Sequence, residues 1–308
     1  MKALVVGYGS IGSRHVRILT ELGCSTAVVS KRAVDFPVTY PGLAEACASG
    51  HPGYVIIANA THQHHASLAE LAHLGYAGIV LVEKPLFCKS DETVPQSIRQ
   101  LFVAYNFRFH PLIRRLKTLL AGEHILSVQA YAGQYLPDWR PARDYRESYS
   151  ARAEQGGGVL RDLSHELDYL TWLLGKSTRV SALGGHLSPL EITSDDVSAL
   201  MLVTDACPVV TLQLNYLDRL ARRSILINTS KHTIEADLIA GTMTIDREVE
   251  TFDVARDDTY RLMHEAVLFG STGSLCTLDE GLETLRLIEA AEMAAKRGAW
   301  VERPVPAK

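Results

Sequence analysis

A lysine follows an apolar run in the first third of the sequence, at Glu83-Lys84-Pro85. The run, residues 78–82, is rich in β-branched residues and predicts a buried strand that ends where the charges begin. The proline fixes the backbone directly after the lysine. Two interpretations are open: a strand end that reaches solvent, or a lysine held rigidly in a cleft to move a proton.

A second set of groups that could transfer protons lies in residues 156–175, where a glycine triplet precedes a leucine-striped helix. Asp162 and His165 fall on the face opposite the leucines, and Asp168 flanks His165. Carboxylates near an imidazole can orient it and tune its proton affinity for acid–base catalysis. The alternative is an exposed polar face. The triglycine favours the catalytic interpretation, because it permits close approach by a ligand or another backbone.

The elements that would position these groups begin with a strand over residues 2–6, a glycine-rich turn and a helix over residues 11–22. This order is the context that a dinucleotide-binding turn needs. Its glycines allow a tight turn, approach of a pyrophosphate and close helix packing, and the helix N-terminus offers N–H groups to phosphates. The candidate cofactor-binding residues here are Gly7, Tyr8, Gly9, Ser10, Ile11 and Gly12.

The next predicted strand, residues 25–30, ends at Ser30, Lys31 and Arg32. In a dinucleotide-binding fold this position faces the adenosine ribose, where an acid suits a 2′-hydroxyl and a cation suits a 2′-phosphate. The sequence therefore favours NADP(H) over NAD(H). A solvated loop with two basic residues is the alternative.

Strands and helices continue to alternate, with strands predicted over residues 54–58, 78–82 and 101–105 and helices over 63–74 and, interrupted by Pro95, 90–100. Continuous apolar strands between helices imply a parallel sheet covered on both faces, and ligands of such sheets bind beyond the carboxyl ends of the strands. Lys84 lies at such an end. His62, His64 and His65 lie at a strand-to-helix turn without a nearby carboxylate or cysteine at ligand spacing, so we expect no metal.

The apolar period changes to two beyond residue 176, which predicts an antiparallel meander with an apolar outer face suited to a partner. A last long helix is predicted over residues 278–297.

The composition places limits on the class of protein. A length of 308 residues suggests two domains, and a net charge of -4 argues against a nucleic-acid partner. No apolar run is long enough to predict a membrane span. Five cysteines without a C-x-x-C pair suggest reduced thiols, so we expect a cytoplasmic protein.

These motifs together resemble those of the glucose–fructose oxidoreductase, inositol dehydrogenase and MocA (Gfo/Idh/MocA) family. The resemblance spans nearly the whole chain and rests on Gly7-x-Gly9-x-x-Gly12, the turn from Thr61 to His65, Glu83-Lys84-Pro85, Tyr105-Asn106-x-Arg108-Phe109-x-Pro111, and the glycines before Asp162, His165 and Asp168.

The resemblance implies an α/β protein with a Rossmann parallel sheet in residues 1–108 and an α+β domain with a large, mostly antiparallel sheet in residues 109–308. It implies NAD(P)-dependent oxidation or reduction of a sugar or polyol hydroxyl. It also implies association into a homodimer or homotetramer through the second sheet.

The resemblance further implies that Lys84 lines the active site, with a cis peptide before its proline, and that His165 is a general acid/base. Which of the two takes the proton stays open. The family often has an aspartate four residues before the histidine, where this chain has Arg161; Asp162 stands three before it and is the candidate partner. The remaining cofactor-binding candidates are Thr61, His62, His65, Glu83, Lys84 and Asn106.

The segment from Tyr135 to Tyr149 is rich in arginines and aromatic residues and suits a polar, anionic sugar that is phosphorylated, nucleotide-linked or carboxylated. A loop held by local Asp–Arg pairs is an equal alternative. The substrate-binding candidates are Lys84, Arg108, Tyr135, Trp139, Arg140, Tyr145, Asp162 and His165.

Other functions remain open for this sequence. A cofactor-binding sensor or another non-catalytic protein would keep the glycines but could lose Lys84 or His165, and both are present. An enzyme that keeps its dinucleotide bound for internal redox is a further alternative.

Overall fold

A computed structural model describes residues 1–139, 141 and 143–303. Within these residues the chain divides into two compact units. Unit 1 comprises residues 1–109 and 255–282; unit 2 comprises residues 110–254 and the described residues from 283 onward. The predicted boundary between two independently folding domains, after residue 108, stays a prediction.

The elements of the first part of the chain are β1 (Lys2–Val6), α1 (Ser10–Glu21), β2 (Ser25–Val29), β3 (Thr39–Tyr40), α2 (Leu43–Gly50), β4 (Tyr54–Ile57), α3 (His64–His73), β5 (Ile79–Val82), β6 (Gln100–Val103), α4 (Pro111–Leu119) and β7 (Ile125–Gly133). The later elements are α5 (Val159–Asp162), α6 (His165–Leu174), β8 (Ser177–Gly185), β9 (Val197–Thr204), β10 (Val210–Asn215), β11 (Arg222–Thr229), β12 (Thr233–Asp237), β13 (Thr242–Ile245), β14 (Glu248–Thr251), α7 (Asp258–Leu268), β15 (Cys276–Thr277), α8 (Leu278–Arg297) and β16 (Val301–Glu302).

Unit 1 is built on a sheet whose order, among the described strands, is β15-β6-β5-β4-β1-β2-β3. All neighbours are parallel except β15, which pairs antiparallel with β6. The central strands consist of short, β-branched runs that are buried along almost their whole length, as helices on both faces of a parallel sheet require. The strands and the first helix predicted for this part of the chain are confirmed, with ends that differ by one or two residues.

One predicted helix of unit 1 is wrong. Residues 90–99 form turns and irregular backbone, and β6 begins at Gln100. Pro95 lies in the middle of this segment, where it lacks the N–H that a helix needs and disfavours the helical conformation of the residue before it.

Helix α7 joins unit 1 although it lies about 150 residues beyond the rest of that unit in the sequence. It packs on α1. Its apolar side chains Met263, Ala266 and Val267 are part of the same core as Val5 and Ile56 of the sheet.

Unit 2 is built on a larger sheet with the order β14-β13-β12-β11-β7-β10-β9-β8-β16 among the described strands. The predicted simple meander is corrected here, because β7 lies between β11 and β10 and runs parallel to β10. The other neighbours are antiparallel, which confirms a large and mostly antiparallel second sheet.

The two faces of this sheet differ in burial. Leu200 and Leu202 of β9 are buried, whereas Met201 is 51% exposed on the opposite face. Leu183 of β8, which is 72% exposed, lies on that same face. Helix α8 has the predicted bounds, and the following Gly298 has a positive φ of 62° that suits a helix end. In the described part of the chain, no helix is both long enough and apolar enough to cross a membrane.

Candidate active site

The carboxyl ends of the central strands of unit 1 lie side by side. The register pairs Val6 of β1 with both Val29 of β2 and Ile57 of β4, and Ile57 with Val82 of β5. The residues that follow these strands therefore share one edge of the sheet. These are the glycine-rich turn, the segment from Ser30 to Arg32, the turn at residues 58–63, and Glu83 with Lys84.

The three glycines of the first turn meet different surroundings. Gly7 has a φ of 97°, and a Cβ there would lie 2.8 Å from backbone atoms of Ala58 and Asn59. A Cβ on Gly12 would lie closer than 3.0 Å to the Gly7 carbonyl oxygen, well inside van der Waals contact. A Cβ on Gly9 would meet nothing within 4 Å. Two glycines thus permit close packing of the turn, and the third faces open space.

A groove of about 400 Å³ lies beside this turn. Its lining includes Tyr8 and Ser10 together with three arginines, Arg14, Arg17 and Arg256. Asp257 lies 3.3 Å from the Arg14 Nε and also contacts Arg17. The groups that could hold the phosphates of a dinucleotide are therefore the N–H groups at the start of α1 and these cations.

The sequence did not single out these arginines. Arg14 and Arg17 could have been found from their spacing of three on the helix that follows the glycines, which places them on one face. Arg256 is more than two hundred residues away, and no local pattern links it to the turn. Tyr8 packs against Phe36, with ring centroids 5.8 Å apart, and Ile11 lies in the first turn of α1.

The residues after β2 present two cations at the sheet edge. The Ser30 hydroxyl donates to the Arg32 carbonyl oxygen at 2.8 Å and accepts from the Arg32 N–H at 3.2 Å, which folds the chain into a tight turn. Lys31 and Arg32 are exposed.

The residues of the histidine-rich turn after β4 make different contacts. Thr61 and His62 lie in a single 3₁₀ turn, and the His65 Nε2 lies 3.0 Å from the Thr93 carbonyl oxygen. His64 is buried between the carbonyl oxygens of Asn59 and Leu86, and burial lowers its pKa. Within the described ranges, no group of three or more histidines, cysteines or carboxylates is arranged to hold a metal ion.

Glu83 and Lys84 follow β5 directly, and the Lys84–Pro85 peptide bond is cis, as the resemblance implied. Glu83 is buried and Lys84 is half-buried. One carboxylate oxygen of Glu83 lies 2.9 Å from the His15 Nε2, and the other accepts the main-chain N–H of Lys84 at 3.1 Å. The residues at the carboxyl end of β5 are therefore held by contacts within unit 1.

Asn106 and Arg108 lie inside unit 1 as well. The Asn106 side chain donates to the Thr259 hydroxyl at 2.6 Å, which ties the segment after β6 to α7. Arg108 is buried, and its guanidinium lies 2.9 Å from a carboxylate oxygen of Glu280. This ion pair gives Arg108 a structural task, and its contact with a substrate stays a prediction.

In unit 2, the predicted helix before Gly175 is two helices, with a break at Leu163 and Ser164. Asp162 ends α5 and His165 begins α6. Both are buried, and so is Asp168, which corrects the alternative of an exposed polar face. The Tyr216 hydroxyl donates to an oxygen of Asp162 at 2.6 Å.

Two glycines of the triplet, Gly157 and Gly158, are explained by packing within unit 2. A Cβ on Gly157 would collide with the carbonyl oxygens of Tyr149 and Ser150, and a Cβ on Gly158 would collide with the carboxylate of Asp195. The close approach that the sequence suggested is therefore made by backbone and a carboxylate. Arg161, at the position where the family often has aspartate, pairs with Glu292 at 2.7 Å.

The segment after β7 packs an aromatic ring against Tyr216, the hydrogen-bond partner of Asp162. The Trp139 ring packs edge-on against Tyr216, with centroids 5.2 Å apart, and its Nε1 donates to the Gln134 carbonyl oxygen at 3.2 Å. The Tyr135 ring lies 3.4 Å from the guanidinium carbon of Arg219.

The rest of this segment is held by local contacts. The Tyr145 hydroxyl accepts the Glu191 N–H at 3.2 Å. Arg146 pairs with Asp144 and Glu191, so the alternative of local Asp–Arg pairs holds for this arginine. Arg140 lies outside the described residues.

The fold therefore combines a Rossmann-type parallel sheet in unit 1 with a large, mostly antiparallel sheet in unit 2. Residues 113–235, all within unit 2, match the family model described as the GFO/IDH/MocA C-terminal domain. This match confirms the resemblance to the Gfo/Idh/MocA family that the motifs indicated. No curated protein sequence matches the chain significantly.

Solved structures share the whole fold at low sequence identity. The dehydrogenase WlbA from Bordetella pertussis, in complex with NADH and UDP-GlcNAcA, has a TM-score of 0.79 and 20% identity over 99% of both chains. Levoglucosan dehydrogenase, in complex with NADH and L-sorbose, has a TM-score of 0.85 and 14% identity over 99% of both chains. GenD2 from gentamicin A biosynthesis, in complex with NAD, has a TM-score of 0.81 and 21% identity over 99% of this chain and 97% of that one.

Proposed function

We propose that this chain is an NAD(P)-dependent oxidoreductase that transfers a hydride between nicotinamide and a CH–OH carbon of a sugar or sugar derivative. The observation that carries this proposal is the shared sheet edge of unit 1. There the glycine-rich turn, with open space at Gly9, lies along the same line of strand ends as Lys84. A dinucleotide binds across such strand ends in a Rossmann fold.

The residues present fit a dinucleotide. The space at Gly9 and the first N–H groups of α1 suit a pyrophosphate, and Arg14 and Arg256 add positive charge beside it. When bound, the nicotinamide supplies or accepts the hydride. Thr61, His65, Glu83 and Asn106 then remain candidates for the rest of the dinucleotide.

The chain's own task is to bind the substrate and move one proton. In this proposal Lys84 donates a hydrogen bond to the reacting oxygen and stabilises the negative charge that develops there. His165, oriented from the first turn of α6, is the general acid/base, alone or together with Lys84. The Tyr216 hydroxyl holds Asp162, whose predicted role is to orient His165.

The exposed cations after β2 support NADP(H) as the preferred cofactor. Ser30 fixes the turn, and Lys31 and Arg32 place two positive charges where a 2′-phosphate would lie. The solved complexes named above hold NAD or NADH, so this preference rests on the residues of this chain. It is tested by the ratio of kcat/KM for NADPH and NADH, which should fall in Arg32→Ala and stay unchanged in Lys2→Ala, a distant exposed control. A wild-type preference for NADH would overturn this assignment.

The substrate class is supported by Trp139 in unit 2. Its half-buried ring packs on Tyr216, the buried residue that holds Asp162, and a partly exposed aromatic ring suits the apolar face of a sugar. Screening neutral, phosphorylated, carboxylated and nucleotide-linked sugars separates neutral from anionic substrates. Activity only on neutral polyols would remove the anion hypothesis.

The outer face of the large sheet supports self-association as a homodimer or homotetramer. Leu183 and Met201 form part of an exposed apolar face there. Light scattering should show an oligomer for the wild type and a smaller species for Met201→Glu. A monomeric wild type would end this proposal.

The central experiment replaces Lys84 with alanine. We expect turnover to fall by about 10²–10⁴, the usual range for loss of a group that moves a proton, with little change in dinucleotide affinity. Lys89→Ala is the matched control, because Lys89 is an exposed lysine five residues away. Equal turnover in Lys84→Ala and the wild type would remove Lys84 from the chemistry.

A further inference from the structure

Four buried side chains of unit 1 form a continuous line of hydrogen bonds that ends at the main chain of Lys84. The Tyr54 hydroxyl lies 3.0 Å from the His264 Nδ1, and the His264 Nε2 lies 2.8 Å from the His15 Nδ1. The His15 Nε2 lies 2.9 Å from the Glu83 carboxylate, whose other oxygen accepts the Lys84 N–H at 3.1 Å. The line joins β4, α7, α1 and the end of β5.

The line is shielded from water. Tyr54, His15 and His264 are each 0% exposed, and Glu83 is 7% exposed. The Tyr260 ring packs edge-on against His15, with centroids 5.4 Å apart, and no polar atom of Tyr260 belongs to the line. Loss of a hydrogen-bond partner costs more free energy for a buried polar group than for an exposed one. Each side chain of the line therefore relies on its neighbour in the line to stay hydrogen-bonded.

The chemistry of the groups gives the line one direction. Tyr54 is buried and, among the described residues, has the His264 Nδ1 as its hydrogen-bond partner, so its hydroxyl donates there. Burial lowers the pKa of His264 well below its ordinary value, so the ring is neutral. Because its Nδ1 accepts the Tyr54 hydroxyl, its single proton is on Nε2. That N–H donates to the His15 Nδ1, and the His15 Nε2–H donates to Glu83, which as a carboxylate can only accept.

We propose that Tyr54, His264 and His15 are positioning residues that fix the Glu83 carboxylate on the main-chain N–H of Lys84 and thereby set the place from which the Lys84 side chain extends. A carboxylate buried at a strand end is stabilised by a hydrogen-bond donor with a fixed orientation. His15 is such a donor, because its other ring nitrogen is held by His264 and, through it, by Tyr54. This inference rests on the proposed function for its kinetic consequence and stands without it for its structural part.

The structural part is tested by long-range ¹H–¹⁵N spectra of the histidine side chains. We expect His264 as a neutral ring protonated on Nε2 in the wild type, and His15 with an accepting Nδ1 and a proton on Nε2. Tyr54→Phe should shift the ring signals of His264 and His15, whereas Tyr260→Phe, an equal change in the same core, should leave them in place. An Nδ1-protonated His264, or equal shifts in the two variants, would overturn the proposal whether or not the protein is a dehydrogenase.

The kinetic part uses the same pair of variants. Tyr54→Phe should lower kcat about fivefold, the equivalent of one lost hydrogen bond of about 1 kcal/mol, with KM and dinucleotide affinity changed less than about twofold. Tyr260→Phe should keep the wild-type kcat at saturating dinucleotide, because its hydroxyl contacts Arg14 beside the space proposed for the phosphates and is not part of the line. His264→Gln keeps a donor and an acceptor and should retain more turnover than His264→Leu. A kcat equally reduced in both tyrosine variants, or an unchanged kcat in Tyr54→Phe, would contradict a positioning role.

Discussion

Two glycine-to-alanine changes in the same turn should affect different properties, one the stability of the fold and the other dinucleotide binding. At Gly12 the added methyl would collide with the Gly7 carbonyl, a backbone atom that cannot swing aside. Because a backbone atom is in the way, the cost lies in the upper part of the range for overpacking, about 2–3 kcal/mol, and the better helix propensity of alanine offsets about 1 kcal/mol of it. We therefore expect Gly12→Ala to lower the free energy of unfolding by about 1–2 kcal/mol.

At Gly9 the added methyl meets no protein atom within 4 Å, and the backbone angles, φ −89° and ψ −163°, are allowed for alanine. The weaker N-cap costs about 0.5 kcal/mol and the reduced freedom of the unfolded chain offsets a similar amount, so stability should change little. The methyl would point into the space proposed for the pyrophosphate. We expect dinucleotide affinity to fall at least about tenfold, or about 1.4 kcal/mol.

The assay combines urea unfolding followed by circular dichroism with fluorescence titration of NADPH and NADH. The pair is informative because each variant is the control for the other: one should lose stability and the other should lose binding. If Gly9→Ala bound both dinucleotides like the wild type, the open space at Gly9 would not be the cofactor site. If Gly12→Ala were as stable as the wild type, the packing argument would be wrong.

Two further predictions concern pH and buried charge. In unit 1, burial would raise the pKa of Glu280, but the interactions with Arg108 and Thr277 outweigh burial and lower it. The stabilisation by Glu280 is therefore present above about pH 4.5 and is lost as the pH falls through the folded-state pKa of this carboxylate. Glu280→Gln should lower the free energy of unfolding at pH 7 by about 1–2 kcal/mol, a range kept low because Glu280 is partly exposed, and should flatten this acid dependence in urea titrations. In unit 2, burial raises the pKa of Asp195 from 3.8 to about 6, so the folded state binds the proton more tightly and the free energy of unfolding should fall as pH rises across that interval. Asp195→Asn should remove this pH dependence of the free energy of unfolding. If the dependence persisted in the variant, a group other than Asp195 would be responsible for it.

The features that the sequence predicted correctly depend on neighbouring residues. Short β-branched runs between polar helices indicated the strands of unit 1, and the glycine spacing indicated the turn before α1. Lys84 was placed at a strand end because the apolar run before it stops there. The last helix was found from its period and from Gly298. These patterns act over a few residues, where backbone geometry and side-chain spacing are set locally.

Other features needed contacts between distant parts of the chain. Periodicity did not reveal that β7 pairs with β10 as a parallel strand, and it gave no sign that α7 would pack on α1. The polar side of α6 looked exposed because a helix pattern shows which residues share a face but not what covers that face. The predicted helix over residues 90–100 is the reverse case, because the residue that prevents it, Pro95, lies within the segment itself.

The sequence by itself determined the two kinds of sheet, the glycine-rich turn and the position of Lys84, because each is written in residues adjacent along the chain. Only the tertiary structure decided that Arg108 pairs with Glu280, that the triglycine accommodates backbone and Asp195, and that Tyr54, His264, His15 and Glu83 form one line. Most of those partners are separated by tens to hundreds of residues. They meet because burial leaves polar groups no other partner, and no local pattern encodes which partner that will be.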